Sequence, residues 1–168
     1  DYDVLMSKRL STLKERGLTI SEIQEVIAQL DPLPGAKSFL DGIRMDYQLV
    51  ILSDTFYEFA SPLMKKLGLP TLMCHKLKIS ANGVIDGYKL RQPDPKRQAV
   101  KALKSLNYKV LAAGDSYNDT TMLAEADAGF LFRAPDTVVA EFPQYPVTSD
   151  YVELRTFFDK ASDRFNIP

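Results

Sequence analysis

Four side chains spread along the sequence have the chemistry to handle a phosphoryl group: Ser53, Lys96, Asp115 and Asp119. Ser53, with Asp54 and Thr55 beside it, follows the apolar run Leu49-Val50-Ile51-Leu52. Asp115, Ser116, Asn118 and Asp119 follow the run Lys109–Ala113 and its Gly114. Lys96 comes directly after Asp94-Pro95, and proline is favoured in a helix's first turn. A hydroxyl, an ammonium and two carboxylates suit phosphoryl transfer with Mg²⁺. A hard divalent cation takes carboxylate oxygens and fills its shell with water and phosphate. The phosphoryl oxygens in turn need cationic and hydrogen-bonding donors. An attacking group is missing. A carboxylate nucleophile would serve, but neither run ends in a spare one. Singly, each residue has an ordinary reading: Ser53 as a helix cap, Lys96 as a solvated lysine, Asp115 and Asp119 as loop or cap residues, Asp54 and Thr55 as caps of the next helix.

These residues need elements to position them. Leu5, Met6, Leu10 and Leu13 make an apolar stripe closed by Gly17. Ser21 with Gln24 three residues on reads as a capping box, and Ile20, Ile23, Val26, Ile27 and Leu30 follow at helical spacing. Residues 1–30 are therefore expected to form two helices. Asp31-Pro32-Leu33-Pro34-Gly35 breaks the pattern and is expected to be a hinge. After it, helices alternate with strands. Helices are expected over about 36–45, 57–67, 96–106, 119–126, 136–142 and from Asp150. Strands are expected at 48–52, 71–74, 76–79, 84–90, 109–113 and 128–131, with an extended piece at 146–148. Asn82-Gly83 between two β-like runs signals a hairpin. Doubly buried apolar strands alternating with helices predict a parallel sheet covered on both faces. Ligands of such sheets bind at the carboxyl ends of the strands, where Ser53 and Asp115 stand.

Val50-Ile51-Leu52-Ser53-Asp54-Thr55, then Lys96, then Gly114-Asp115-Ser116-Tyr117-Asn118-Asp119 resemble motifs II, III and IV of the haloacid dehalogenase superfamily, in its phosphoserine phosphatase branch. The runs LSDTFYEF, DPKRQ and GDSYNDTTML are most similar to the subgroup of bifunctional phosphoserine phosphatase/homoserine phosphotransferases. The branch usually has Ser-Gly-Gly at motif II and Gly-Asp-Gly-Ala-Asn-Asp at motif IV. Here Ser53-Asp54-Thr55 and Ser116-Tyr117 depart from it, as that subgroup does.

The resemblance implies an α/β Rossmannoid core of residues 36–168, a helical cap to which residues 1–30 belong, and a β-hairpin. It implies Mg²⁺-dependent transfer from phosphoserine through an aspartyl-phosphate to water or homoserine, in cytoplasmic serine and threonine biosynthesis. Asp115 would be the metal ligand, and Asp119 would hold a metal-bound water or the ligand shell. Ser53 and Lys96 would bind the phosphoryl group, Asn118 would contact substrate, Asp54 and Thr55 would line the pocket, and Arg9 would grip the substrate carboxylate. An arginine fork pairs with a carboxylate through two N–H bonds.

Asp1-Tyr2-Asp3 has the letters of a motif I nucleophile. No strand precedes it in the sequence and a helical pattern follows, so it is expected to be a helix N-terminus, where acidic residues are stabilised. Motif I and its central strand are then expected upstream of Asp1, and the 168-residue chain alone is expected to be unstable and inactive.

The formal net charge is −1 and no basic run occurs, which argues against nucleic acid as a partner. The single cysteine, Cys74, allows no internal disulfide, and the single histidine, His75, excludes a histidine-rich metal site; both are expected to be structural. No apolar run approaches a membrane span. Competing readings are a phosphatase for another small phosphomonoester, the metal-free dehalogenase branch, which Asp115 with Asp119 argues against, and a non-catalytic module that kept the fold. Nothing in the sequence sets the oligomeric state.

Overall fold

The computed structural model describes residues 2–164, with side chains from Met6 onward other than Ser7 and Lys14. It comprises two units, one ending at Gln92 and one beginning at Pro93.

The first unit runs α1 (Tyr2–Glu15), α2 (Ile20–Ala28), α3 (Ala36–Ile43), β1 (Val50–Phe56), α4 (Tyr57–Lys66), β2 (Thr71–Ile79) and β3 (Ile85–Lys89). Asp3 falls in α1, as the expected helix start requires; Asp1 lies outside the described residues. On α1, the buried Met6 and the partly buried Leu10 and Leu13 pack on Phe56, Leu77 and Ile85. A fully buried side chain of Met6's size contributes about 1.5–3 kcal/mol, so Met6 with its partly buried neighbours fastens α1 to the sheet.

The start of α2 differs from expectation. Its N-cap is Thr19, and the capping box is Thr19 with Glu22 rather than Ser21 with Gln24. Both pairs satisfy the pattern locally. The hairpin turn decides between them: Thr19 bridges to Val84, and the Ile20 N–H donates to the Gly83 carbonyl at 2.8 Å. This contact holds Thr19 extended and starts the helix at Ile20. Gln24 is thereby released to donate to the Glu58 carbonyl on α4 at 2.7 Å.

The sheet order is β1-β2-β3. The two short strands expected at 71–74 and 76–79 are one nine-residue strand. Its first half pairs parallel with β1 and its second half antiparallel with β3. No breaker separates the halves, and His75 at the junction is buried, its Nδ1 accepting the Arg91 backbone N–H at 3.1 Å. Cys74 beside it is buried as well.

The second unit runs α5 (Pro95–Ser105), β4 (Leu111–Gly114), a 3₁₀ turn (Tyr117–Asp119), α6 (Thr120–Glu125), β5 (Ala128–Phe132), α7 (Asp136–Glu141), β6 (Val147–Thr148) and α8 (Tyr151–Asp163). Its sheet is wholly parallel, in the order β4-β5-β6. Leu123, Leu131, Val138, Val100 and Leu154 form its buried core. Gly129 lets β5 approach α6, because a Cβ there would lie 2.9 Å from the Leu123 carbonyl oxygen. Among the described residues, no helix is long and apolar enough to cross a membrane.

Candidate active site

The sequence-predicted site residues fall into two sets, one in each unit. The first begins where β1 stops pairing regularly. Leu52 pairs with Met73 and Phe56 with His75, so Ser53, Asp54 and Thr55 stand opposite a single residue of β2. Such a bulge re-aims side chains at a strand end. It also settles one ordinary reading. Asp54 and Thr55 lie within β1, and the N-cap of α4 is Phe56, so neither caps that helix. The Ser53 hydroxyl oxygen accepts the Thr55 backbone N–H at 3.3 Å.

Asp54, Thr55 and Arg9 line one cavity of about 880 Å³ between α1, α2 and the end of β1. Its walls are otherwise largely apolar, with Ile23, Phe56 and Phe59 among them. Phe56 and Phe59 meet edge to face at 5.8 Å. The exposed Arg9 therefore brings a cation to an apolar pocket floored by Asp54 and Thr55. Ile23, expected as part of the helical pattern of residues 20–30, lines this cavity; one stretch of sequence cannot tell a helix face on the core from a face on a cavity.

The second set is wired tightly. Lys96, on the first turn of α5, donates to Asp119 Oδ1 at 2.7 Å. The two side chains retain only 11% and 8% of their exposure, so this ion pair is buried. The other oxygen, Oδ2, accepts the Asp115 and Ser116 backbone N–H groups at 3.0 and 3.1 Å and the Ser116 hydroxyl at 3.0 Å. Both oxygens of Asp119 are thus engaged. Burial pushes its carboxyl up, but Lys96, the Asp115 N–H and the Ser116 hydroxyl pull harder and hold it below the usual aspartate range.

Asp115 experiences the opposite balance. Partial burial of its carboxyl, reinforced by the neighbouring Asp119 carboxylate, pushes it above the usual range even though the residue is exposed overall. A second cation beside Asp115 would relieve that repulsion. Among the described residues, no three His, Cys, Asp or Glu side chains gather as a metal cluster. The Asp115 carboxylate is the kind of oxygen ligand that a hard ion such as Mg²⁺ takes together with water and phosphate. Asn118 is exposed on the same turn.

The sequence reading placed Ser116 and Gly114 at this strand end but gave neither a part in holding Asp119. Ser116 closes a capping box with Asp119, and its Ser-x-x-Asp spacing was the available signal. Gly114 leaves room for Asp119: a Cβ there would overlap that side chain, lying 2.7 Å from its Cγ.

The sequence matches the haloacid dehalogenase-like hydrolase family over residues 4–127. It is 61% identical, over 98% of this chain and 80% of the relative, to phosphoserine phosphatase ThrH of Pseudomonas aeruginosa. It is 58% identical, over 98% of this chain and 69% of the relative, to a phosphoserine phosphatase of Pseudomonas syringae pv. tomato. Among solved structures, a phosphoserine phosphatase from T. onnurineus superposes with a TM-score of 0.69 at 25% identity, covering 93% of this chain and 72% of that one. A phospho-aspartyl intermediate analogue of phosphoserine phosphatase shares the fold with a TM-score of 0.68 at 19% identity, over 83% and 70%. With its family match spanning most of its length and its parallel sheets flanked by helices, the chain belongs to the haloacid dehalogenase-like hydrolases.

Proposed function

We propose that this hydrolase removes the phosphoryl group from phosphoserine, with Mg²⁺ as cofactor, and that homoserine can replace water as acceptor. The observation that carries the substrate is the 61% identity, over 98% of the chain, to a phosphoserine phosphatase ThrH. Residues 1–30 serve in this reading as part of a helical cap over the core.

Each set of residues then has a role. In the second unit, Lys96 supplies positive charge to the phosphoryl oxygens, and its ion pair with Asp119 fixes where that charge sits. Asp115 holds Mg²⁺ and Asp119 supports the ion's shell. The ion neutralises phosphoryl charge when bound. Asn118 contacts the substrate. In the first unit, the Ser53 hydroxyl donates to a phosphoryl oxygen. Arg9 pairs with the carboxylate of phosphoserine, and Asp54 and Thr55, at the floor of the same cavity, face its amino-acid part. A zwitterionic amino acid needs both a cationic and an anionic or hydroxyl partner, and this lining offers each.

The test is a substrate panel. The purified protein, expressed from its complete gene, is given phosphoserine, phosphoethanolamine and p-nitrophenyl phosphate with Mg²⁺ or with EDTA, and phosphate release is followed. Phosphoserine is expected to show the highest kcat/KM, with loss in EDTA. Added homoserine is expected to yield phosphohomoserine at the expense of free phosphate. A higher kcat/KM for another phosphomonoester would replace the substrate assignment, and no turnover of any would favour a binding module.

A further inference from the structure

The first turns of α5 and α6 are tied to one another twice, and the ties are reciprocal. Asp119 is the residue before α6, and it receives Lys96, the second residue of α5, at 2.7 Å. Asp94 is the residue before α5, and its Oδ1 receives the hydroxyl of Thr121, the second residue of α6, at 2.8 Å. The proposed chemistry uses the first tie only. The second has no role in it.

Asp94 is held against its backbone preference. Its φ is 46° and ψ 56°, the left-handed region, which residues other than Gly, Asn and Asp rarely enter. It also precedes Pro95, which steers a residue towards extended conformations. Its carboxylate caps no backbone N–H of its own helix. The carboxylate turns instead to α6, with the Arg97 guanidinium 4.0 Å from its other oxygen. Arg97 in turn donates to Glu125 on α6 at 2.9 Å. The corner that launches α5, two residues before Lys96, is therefore fastened to the helix that follows Asp119.

We propose that the Thr121–Asp94 hydrogen bond is a positioning device. It holds the left-handed corner at Asp94 so that α5 leaves it in the direction that delivers Lys96 to Asp119. Thr121 and Asp94 touch no substrate in this account; they act through Lys96. The effect on turnover rests on the role proposed for Lys96, whereas the effect on Lys96 itself does not.

Two readouts separate these. Thr121→Val removes the hydroxyl and keeps the branched shape; Thr121→Ser keeps the hydroxyl. Loss of one hydrogen bond to a charged acceptor at an exposed site predicts a kcat for phosphoserine lower by roughly 5–10-fold in Thr121→Val, with KM changed by less than about 2-fold. Thr121→Ser is expected to stay within about 2-fold of the unaltered protein. Independently of activity, acetic anhydride labelling read by mass spectrometry reports how well Lys96 is buried in its ion pair. Labelling of Lys96 is expected to rise several-fold in Thr121→Val and not in Thr121→Ser. Should Thr121→Val fail to fold, Asp94→Ala and Asp94→Asn make the same comparison from the acceptor side. Unchanged Lys96 labelling in the valine variant overturns the proposal, as does equal impairment of the serine variant. Increased labelling with unchanged kcat, or in a protein that does not turn over phosphoserine, leaves the device standing and removes the role assigned to Lys96.

Discussion

The two units carry their candidate residues in contrasting ways. In the second unit, Asp119 is buried, accepts four donors and shares a salt bridge with a buried lysine. In the first unit, Arg9 is exposed on a helix, and Asp54 and Thr55 sit in a bulge at the floor of a largely apolar cavity. Under the proposed function the difference matches two tasks. Stabilising charge on a phosphoryl group demands donors fixed before the reaction, because reorganising them during it would raise the barrier. Choosing an amino acid demands a pocket shaped by side chains that can be exchanged without disturbing that machinery. Under the proposed function, changes at Lys96, Asp115 and Asp119 should therefore strike kcat, and changes at Arg9, Asp54 and Thr55 KM.

The sharpest way to break this contrast is at the buried ion pair. Asp119→Ala removes the carboxylate to which the buried Lys96 donates, and breaking a buried pair from one side costs about 3–5 kcal/mol in comparable cases. Turnover of phosphoserine should fall by roughly 10²–10³-fold or more, with a lowered melting temperature by calorimetry. Near-normal kcat in a folded Asp119→Ala protein would refute the assignment of this pair. Gly114→Ala attacks the same carboxylate sterically: overpacking of this kind costs about 1–3 kcal/mol, and kcat should drop with KM little altered. In the first unit, Arg9→Ala removes a hydrogen-bonded charge partner worth about 1.5–3 kcal/mol. KM for phosphoserine should rise roughly 10–100-fold, with a smaller change in kcat. An Arg9 variant that lowered kcat alone would erase the division between the Asp119 turn and the Arg9 cavity.

Titration offers a subtler test within the second unit. The folded-state value of Asp119 lies below that of an unfolded aspartate. Its stabilisation is therefore complete above the unfolded aspartate range and is lost as pH falls through the folded value. Asp115 has the opposite sign. Its value is raised on folding, so its charge opposes folding at neutral pH, and that opposition fades as pH drops. In EDTA, Asp119→Asn should flatten the acid-side loss of melting temperature. Asp115→Asn should raise the melting temperature at neutral pH while abolishing activity with Mg²⁺. Equal pH profiles for the two variants would contradict the opposed signs.

The smallest expected effect concerns the cap of α2. Thr19→Ala should cost about 1 kcal/mol, or a few degrees in a chain of this size. Ser21→Ala should cost less, since Thr19 rather than Ser21 makes the capping box.

Much of this molecule was legible from letters alone. Apolar runs and their spacing located every strand region and helix to within a few residues, because burial periodicity is a local property of the chain. The residue types at two strand ends pointed to phosphoryl chemistry, because that chemistry tolerates few substitutes for a carboxylate and an ammonium. The reading erred where two local patterns competed. Thr19 and Ser21 both qualify as caps, and the contact with Gly83 and Val84, more than sixty positions away, selects Thr19. The join of two β-like runs into a single β2 was likewise settled by its two different partners, one on each half.

The sequence by itself determined the order of elements, the family and the kinds of side chain at the strand ends. The order of elements follows from apolar periodicity and the family from the resemblance of three motifs, and neither needs a partner in space. Only the tertiary structure decided that Asp119 is the hub of its turn, that Ser116 and Gly114 serve it, and that Thr121 reaches back to a left-handed Asp94. Such facts depend on atoms 3 Å apart whose residues stand up to twenty-seven positions apart in the chain. No local propensity encodes that proximity, because folding creates it.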